Sequence, residues 1–207
     1  MQANELKTWQ HKAQAQTELA LERVLPATTA VPSTLHEAMR YVTLGGGKRL
    51  RPLLVLATAE LGTANVLAVE HAMAAVELIH VYSLVHDDMP SMDNDSLRRG
   101  KPTCHVQYNE ATALLVGDAL QTLAFDTLSR STELAPLRQL RMLATLAKAS
   151  GSLGMAGGQA IDLANDMPSL TYTEFDTAIN VLIGEAWTAE KIIEKMQQPQ
   201  INAQRGL

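Results

Sequence analysis

From Asn65 to His86 apolar residues recur at helical spacing, with Val66, Val69, Met73, Val76, Ile79 and Leu84 on one stripe. A strand would instead show period-two alternation, and such alternation is hard to find anywhere in the chain. The aliphatic content is dominated by Ala and Leu, and aromatic residues make up only 4%. That composition favours helix. The chain is expected to be all-α.

The remaining elements read around that helix. Asn4–Val24 is expected to be an amphipathic first helix, followed by a Pro- and Thr-rich break from Pro26 to Thr34. Leu35–Thr43 reads as a second helix, stopped by Gly45, Gly46 and Gly47, and Pro52 sits where a first-turn proline belongs in a helix continuing over Leu53–Leu61. Pro90 ends or bends the long helix, and a polar loop covers Ser91–Thr103. Ala111–Ser129, Leu137–Ser150 and Gly158–Asn165 are expected to be helical. After residue 165 the texture changes, so the chain divides into 1–165 and a divergent helical tail over 166–207. Thr171–Leu182 and Glu185–Met196 are candidate helices of that tail, and Gln197–Leu207 reads as frayed.

Several function classes drop out. A net charge of -5 offers nucleic acid no general attraction. Cys104 is the only cysteine, so no intramolecular disulfide forms. Met1–Arg23 is polar and lacks the apolar core of a signal peptide. No stretch is expected to approach the roughly 20 apolar residues of a membrane span. The expected location is the cytoplasm.

Two charged segments stand against this background. In Gly45-Gly46-Gly47-Lys48-Arg49-Leu50-Arg51-Pro52 the glycines let backbone approach a ligand, and the following helix start presents free N–H groups to an anion. Lys48 and Arg51 are three residues apart, so on a helical turn they point the same way and can clamp a diphosphate. A glycine cap with solvated basic residues would look the same in isolation. In His86-Asp87-Asp88-Met89-Pro90-Ser91-Met92-Asp93-Asn94-Asp95, four carboxylates fall within nine positions. Their mutual repulsion is relieved by a cation, and magnesium takes one or two carboxylates together with waters and phosphate oxygens. A solvated acidic loop is the plainer alternative. The basic run Arg98-Arg99-Gly100-Lys101-Pro102 that follows fits a site holding anions both directly and through metal. His80 and Ser83 lie on the helix face of Asp87, with His80 two turns upstream.

Taken together, Gly46-Gly47-Lys48-Arg49-Leu50-Arg51-Pro52, His80, Asp87-Asp88 with Asp93, and Arg98-Arg99-Gly100-Lys101-Pro102-Thr103 resemble the trans-prenyl diphosphate synthase family in order and spacing. Leu115–Leu120 and Gly157–Leu163 are similar to two further blocks of that family. The resemblance implies an isoprenoid synthase-type helical bundle around a central cavity, usually a homodimer. It implies that Gly47, Lys48, Arg51, His80 and Arg99 bind the diphosphate of isopentenyl diphosphate, and that Arg98 contacts the allylic diphosphate. Asp87, Asp88 and Asp93 would carry Mg2+, and together with Arg98 they would form the catalytic set. The four residues between Asp88 and Asp93 resemble the bacterial farnesyl and geranylgeranyl type. Tyr82, with Ser83, resembles the floor that limits product length in the farnesyl type.

The Lys-Thr pair and second aspartate-rich motif of the family are not found after Leu163, which implies a C-terminally truncated bundle. The leading expectation is a prenyltransferase condensing isopentenyl diphosphate with dimethylallyl or geranyl diphosphate to farnesyl diphosphate. A partner-dependent subunit that binds isoprenoid diphosphate without turnover is the alternative. A terpene cyclase also uses an aspartate-rich magnesium motif, but it has no second diphosphate for Lys48 and Arg51 to hold.

Overall fold

A computed structural model describes residues 3–164. Among them are eight α-helices: α1 (Ala3–Val24), α2 (Ser33–Thr43), α3 (Leu50–Ala59), α4 (Val66–Asp87), α5 (Cys104–Gln107), α6 (Glu110–Ser129), α7 (Pro136–Ser150) and α8 (Met155–Ala164). One antiparallel hairpin, β1 (Leu97–Arg98) with β2 (Lys101–Pro102), interrupts them. The fold is all-α, as expected.

Polar residues set the starts of the two central helices. Asn65 is extended and accepts from the Leu67 and Ala68 amides at 2.9 and 3.2 Å, satisfying two of the donors a helix start leaves free. Asn109 does the same for α6 through the Thr112 amide at 2.8 Å. The two helices make the most extensive packing in the described chain, with α1, α2 and α3 also packed on α4. Ala74, Ala75, Ala113 and Ala124 are fully buried with Leu78, Val116 and Leu120. Small side chains at these positions allow close approach, which is what the alanine-rich composition encodes.

The single stripe expected on α4 is not what forms. Val66 is 72% exposed, whereas Ala68, Ala74, Ala75, Leu78, Val81 and Val85 are buried alongside Met73 and Ile79. A helix enclosed by four others buries residues on every side, so no one periodicity captures it. For the same reason the expectation of no membrane-length apolar segment fails at α4, whose 22 residues are long and apolar enough for a crossing by length and composition. Pro90 lies beyond the helix end, where Asp88 is the C-cap. The loop over 91–103 contains the hairpin, Cys104–Gln107 adds a one-turn helix, and α8 begins three residues before Gly158.

Compact packing divides the chain after Leu143. The first unit carries α1 to α6, the hairpin and most of α7; the described part of the second holds the end of α7 and α8. The boundary expected at 165/166 falls at the edge of the described residues. The expected tail helices, Thr171–Leu182 and Glu185–Met196, fall outside them.

Candidate active site

The chain from Leu44 to Arg49 turns through three glycines with φ of +107°, +94° and +135°, a run that only glycine adopts without strain. At Gly47 a second reason applies. A Cβ there would lie 2.5 Å from Arg99 Nη1 and 2.8 Å from Cζ, so the Arg99 guanidinium rests on bare backbone. Arg99 Nη1 also donates to the Gly46 carbonyl at 2.5 Å.

This loop delivers Lys48 and Arg51 to a cleft of about 460 Å³ also lined by His80 and Arg99. Lys48, Arg51, His80 and Arg99, the four side-chain candidates for the isopentenyl diphosphate site, therefore meet, with Gly47 in the same wall. His80 is pushed down from 6.5 to about 4, mainly by burial and then by the positive charges of Arg51, Arg99, Arg98 and Arg49. It stands neutral at pH 7, as a hydrogen-bonding group beside three charged ones.

Beneath the cleft lies a residue that sequence reasoning passed over. Arg49 is the N-cap of α3, in left-handed backbone at φ +49°, and only 3% exposed. Its Nε donates to Glu18 Oε1 at 2.8 Å, its Nη1 to Glu77 Oε1 at 2.7 Å and its Nη2 to the Thr43 carbonyl at 2.7 Å. Glu77 is itself 2% exposed and also lines the cleft.

The acidic candidates sit at the end of α4. The Asp93 amide donates to the Asp87 carbonyl at 2.9 Å, folding the loop back so that Asp93 returns to the helix end. Asp93 is exposed, Asp87 half-buried and Asp88 3% exposed. Arg98 Nε donates to both Asp88 oxygens at 2.8 Å, and Nη2 reaches Oδ1 at 2.5 Å. The same Nη2 stands 3.9 Å from Asp87 and from Asp95, so one guanidinium faces three carboxylates. The proton of Arg98 is held more tightly than usual, first through the Asp88 hydrogen bonds.

The hairpin sends its two arginines apart. Arg99 and Gly100 form a two-residue turn with φ of +54° and +77°, the combination that suits tightly twisted hairpins. Arg98, in β1, turns to Asp88, while Arg99, in the turn, reaches Gly46. Tyr41 Oη donates to the Pro102 carbonyl at 2.8 Å and Thr103 Oγ1 to the Asp95 carbonyl at 2.7 Å, fixing the hairpin from both sides. Cys104 is buried behind it, its thiol raised to about 12 by burial and by Asp88.

Tyr82 and Ser83 do not line the cleft of Lys48. Tyr82 is buried, its hydroxyl hydrogen-bonded by Gln121 of α6 and its ring edge-on to His86 at 5.9 Å. Ser83 Oγ donates to the His80 carbonyl at 2.8 Å. His86 Nε2 donates to the Leu114 carbonyl at 3.0 Å, and its ring occupies the notch left by Gly117, where a Cβ would be 2.0 Å from Nε2.

Magnesium is implied by the family resemblance, and the donor set can be tested for it. Among the described residues no group of three metal-ligating side chains is assembled. Asp88 is committed to Arg98, which leaves Asp87 and Asp93 as the carboxylates toward an ion. Two carboxylates with the rest of the shell from water and phosphate is the coordination magnesium prefers, so these residues fit.

Residues 32–184 match the family described as Polyprenyl synthetase. Over 150 residues the chain is 49% identical to a farnesyl diphosphate synthase of Escherichia coli strain K12, covering 72% of this chain and 50% of that one. With a farnesyl diphosphate synthase of Haemophilus influenzae the identity is 46% over 142 residues, 69% of this chain and 48% of the other. The chain thus spans about half the length of these relatives. A solved structure of an FPP/GFPP synthase from Zymomonas mobilis superposes with a TM-score of 0.82 at 45% identity, covering 87% of this chain and 66% of that one. A geranyltransferase from Legionella pneumophila gives 0.81 at 38% identity, over 84% and 62% of the two chains.

Proposed function

The chain belongs to the polyprenyl synthetase family, and from that premise we propose that it is a trans-prenyltransferase of the farnesyl diphosphate synthase type. It joins isopentenyl diphosphate to an allylic diphosphate, dimethylallyl or geranyl. The observation that carries this reading is the meeting of Lys48, Arg51, His80 and Arg99 in one cleft, on the same compact unit as the Asp87–Asp93 loop.

In this reading Lys48, Arg51 and Arg99 hold the diphosphate of isopentenyl diphosphate, the two arginines by paired N–H donors. His80, neutral at pH 7, adds a hydrogen bond without adding charge. Asp87 and Asp93 hold magnesium, which when bound neutralises the allylic diphosphate and makes it a better leaving group. Arg98 balances the acidic loop and contacts the same diphosphate, and Asp88 fixes its orientation through the bidentate pair. The allylic C–O bond ionises, its electron pair leaving with diphosphate. The double bond of isopentenyl diphosphate attacks the resulting cation, and the proton lost passes to the departed diphosphate. No side-chain nucleophile takes part; the residues contribute position and charge.

Tyr82, with Ser83 beside it, is assigned as the product-length floor; a buried aromatic ring on α4 five residues before Asp87 supports that reading. The protein acts in the cytoplasm as a homodimer in this reading, supported by Leu114 and Leu115 standing about half exposed on α6.

The test is pyrophosphate release by the purified chain given isopentenyl and geranyl diphosphates with magnesium, the lipid being identified after phosphatase treatment. Farnesol is the expected product. Metal-dependent substrate binding without any pyrophosphate release would refute turnover by this chain and leave it the binding role alone.

A further inference from the structure

Three residues of the basic loop carry positive charge, yet they do not share one task. Lys48, Arg49 and Arg51 all contribute to the cleft wall, but the Arg49 side chain is turned into the core and only 1% exposed. We infer that Arg49 is the positioning residue of the cleft, holding Lys48, Arg51 and His80 at the spacing a diphosphate requires while touching no ligand itself. The inference rests on the diphosphate reading above and names the device that makes it work.

Four features support it. The first is geometry: one guanidinium reaches α1 through Glu18, the last residue of α2 through the Thr43 carbonyl, and α4 through Glu77. It does so from the N-cap of α3, so the start of that helix is tied to the three others around it. The second is sequence distance. Glu77 precedes His80 by three residues, about one turn, so fixing Glu77 fixes the helix face from which His80 enters the cleft. Lys48 and Arg51 flank Arg49 directly, and Gln14 Nε2 donates to the Lys48 carbonyl at 3.2 Å on the same side.

The third feature is backbone conformation. Arg49 is a non-glycine residue at φ +49° and ψ +36°, a conformation that persists only when surrounding contacts hold it. That turn sends Arg49 inward and its neighbours outward. The fourth is charge. A cleft crowded with Lys48, Arg51 and Arg99 would repel a further buried cation, but Glu18 and Glu77 outnumber Arg49 and leave the cluster with one excess negative charge. The cations are therefore held together by an acidic floor before any anion arrives.

Lysine cannot reproduce this arrangement. Its single ammonium has no planar fork to span three acceptors lying in different directions.

A buried ion pair with no positioning role would affect stability alone, so the experiment separates the two. R49K and E18Q are made in the full chain; Glu18 is a third exposed, so E18Q leaves the buried Arg49–Glu77 pair in place. Circular dichroism gives folding and the unfolding midpoint. Calorimetry without metal gives the affinity for isopentenyl diphosphate at a temperature well below each midpoint. We expect R49K to keep a helical spectrum and bind about 10-fold or more weakly, and E18Q about 3-fold more weakly. Wild-type affinity in the folded variants, whatever happens to their midpoints, overturns the positioning role. If R49K fails to fold, E18Q decides alone by the same criterion. An absence of binding by the wild-type chain sinks the diphosphate reading and this inference with it, an outcome distinct from the first.

Discussion

Gly117→Ala is a substitution for which general helix physics and this structure predict opposite signs. In a helix interior, replacing glycine by alanine ordinarily stabilises by about 0.5–1 kcal/mol. At Gly117 the new Cβ would stand 2.0 Å from His86 Nε2, 2.4 Å from Cδ2 and 2.6 Å from Cε1. The ring must leave its notch. It then gives up the hydrogen bond to the Leu114 carbonyl, worth about 1 kcal/mol, and the edge-on contact with Tyr82, worth about 0.5–1.5 kcal/mol. Displaced packing adds about 1 kcal/mol. After subtracting the helix gain, G117A should destabilise by about 2 kcal/mol. In a His86→Ala background no ring remains to displace, and the same change should stabilise by about 0.5–1 kcal/mol. Urea unfolding of the wild type, both single variants and the double variant gives the coupling directly, expected at about 2–3 kcal/mol. A coupling within about 0.5 kcal/mol of zero, or a stabilising G117A in the wild-type background, would refute the notch argument.

Other outcomes follow from the same structure. His80 sits at about 4 against an ordinary 6.5, so between those values the unfolded chain binds more protons and unfolding free energy falls as pH falls. His80→Gln should flatten that limb between pH 6.5 and 4 while leaving stability above pH 7 unchanged in slope; parallel curves for the two proteins would contradict the assignment. Asn65→Ala removes the acceptor of two α4 amides and should cost about 1 kcal/mol in urea unfolding, with a loss below about 0.3 kcal/mol counting against the cap. Asp87→Ala should abolish magnesium-dependent binding of pyrophosphate while sparing metal-free binding of isopentenyl diphosphate, and Lys48→Ala should do the reverse. Calorimetry on both variants checks this, and a shared loss of both activities would argue against two separable sites.

What the sequence made legible was whatever depends on near neighbours. Helix ends at Thr43, Ser129 and Ser150 were readable because glycine, turn residues and helical periodicity act locally. The opposite faces of α4 were not, since enclosure by other helices is a property of the whole unit. The helix expected from Gly158 begins three residues earlier, at Met155, so that Gly157 and Gly158 both lie inside it. At the site, Lys48, Arg51, His80 and Arg99 were identified from motif order, and one cleft does contain them. Arg49 escaped because its carboxylate partners lie 31 and 28 residues away and neither is in a charged run. The His86–Gly117 notch escaped for the same reason, as its partners belong to different helices.

Both basic motifs contain adjacent like residues, and in both the pair divides. Arg49 turns to the core while Lys48 and Arg51 face the cleft; Arg98 turns to Asp88 while Arg99 rests on Gly47. In each pair one member has positive φ, Arg49 at +49° and Arg99 at +54°. A left-handed residue breaks the helical course of the chain, so its side chain leaves the direction that helical periodicity would give it. A run of cations that sequence presents as one patch thus becomes a binding layer and a layer that holds it, with a left-handed residue at each point of division: the core-facing Arg49 in one motif and the cleft-facing Arg99 in the other. Stabilising the helical backbone at position 49 should therefore merge the two layers, sending a fourth cation toward the cleft of Lys48, Arg51 and Arg99 and leaving Glu77 buried without its partner, a loss of several kcal/mol that urea unfolding would register.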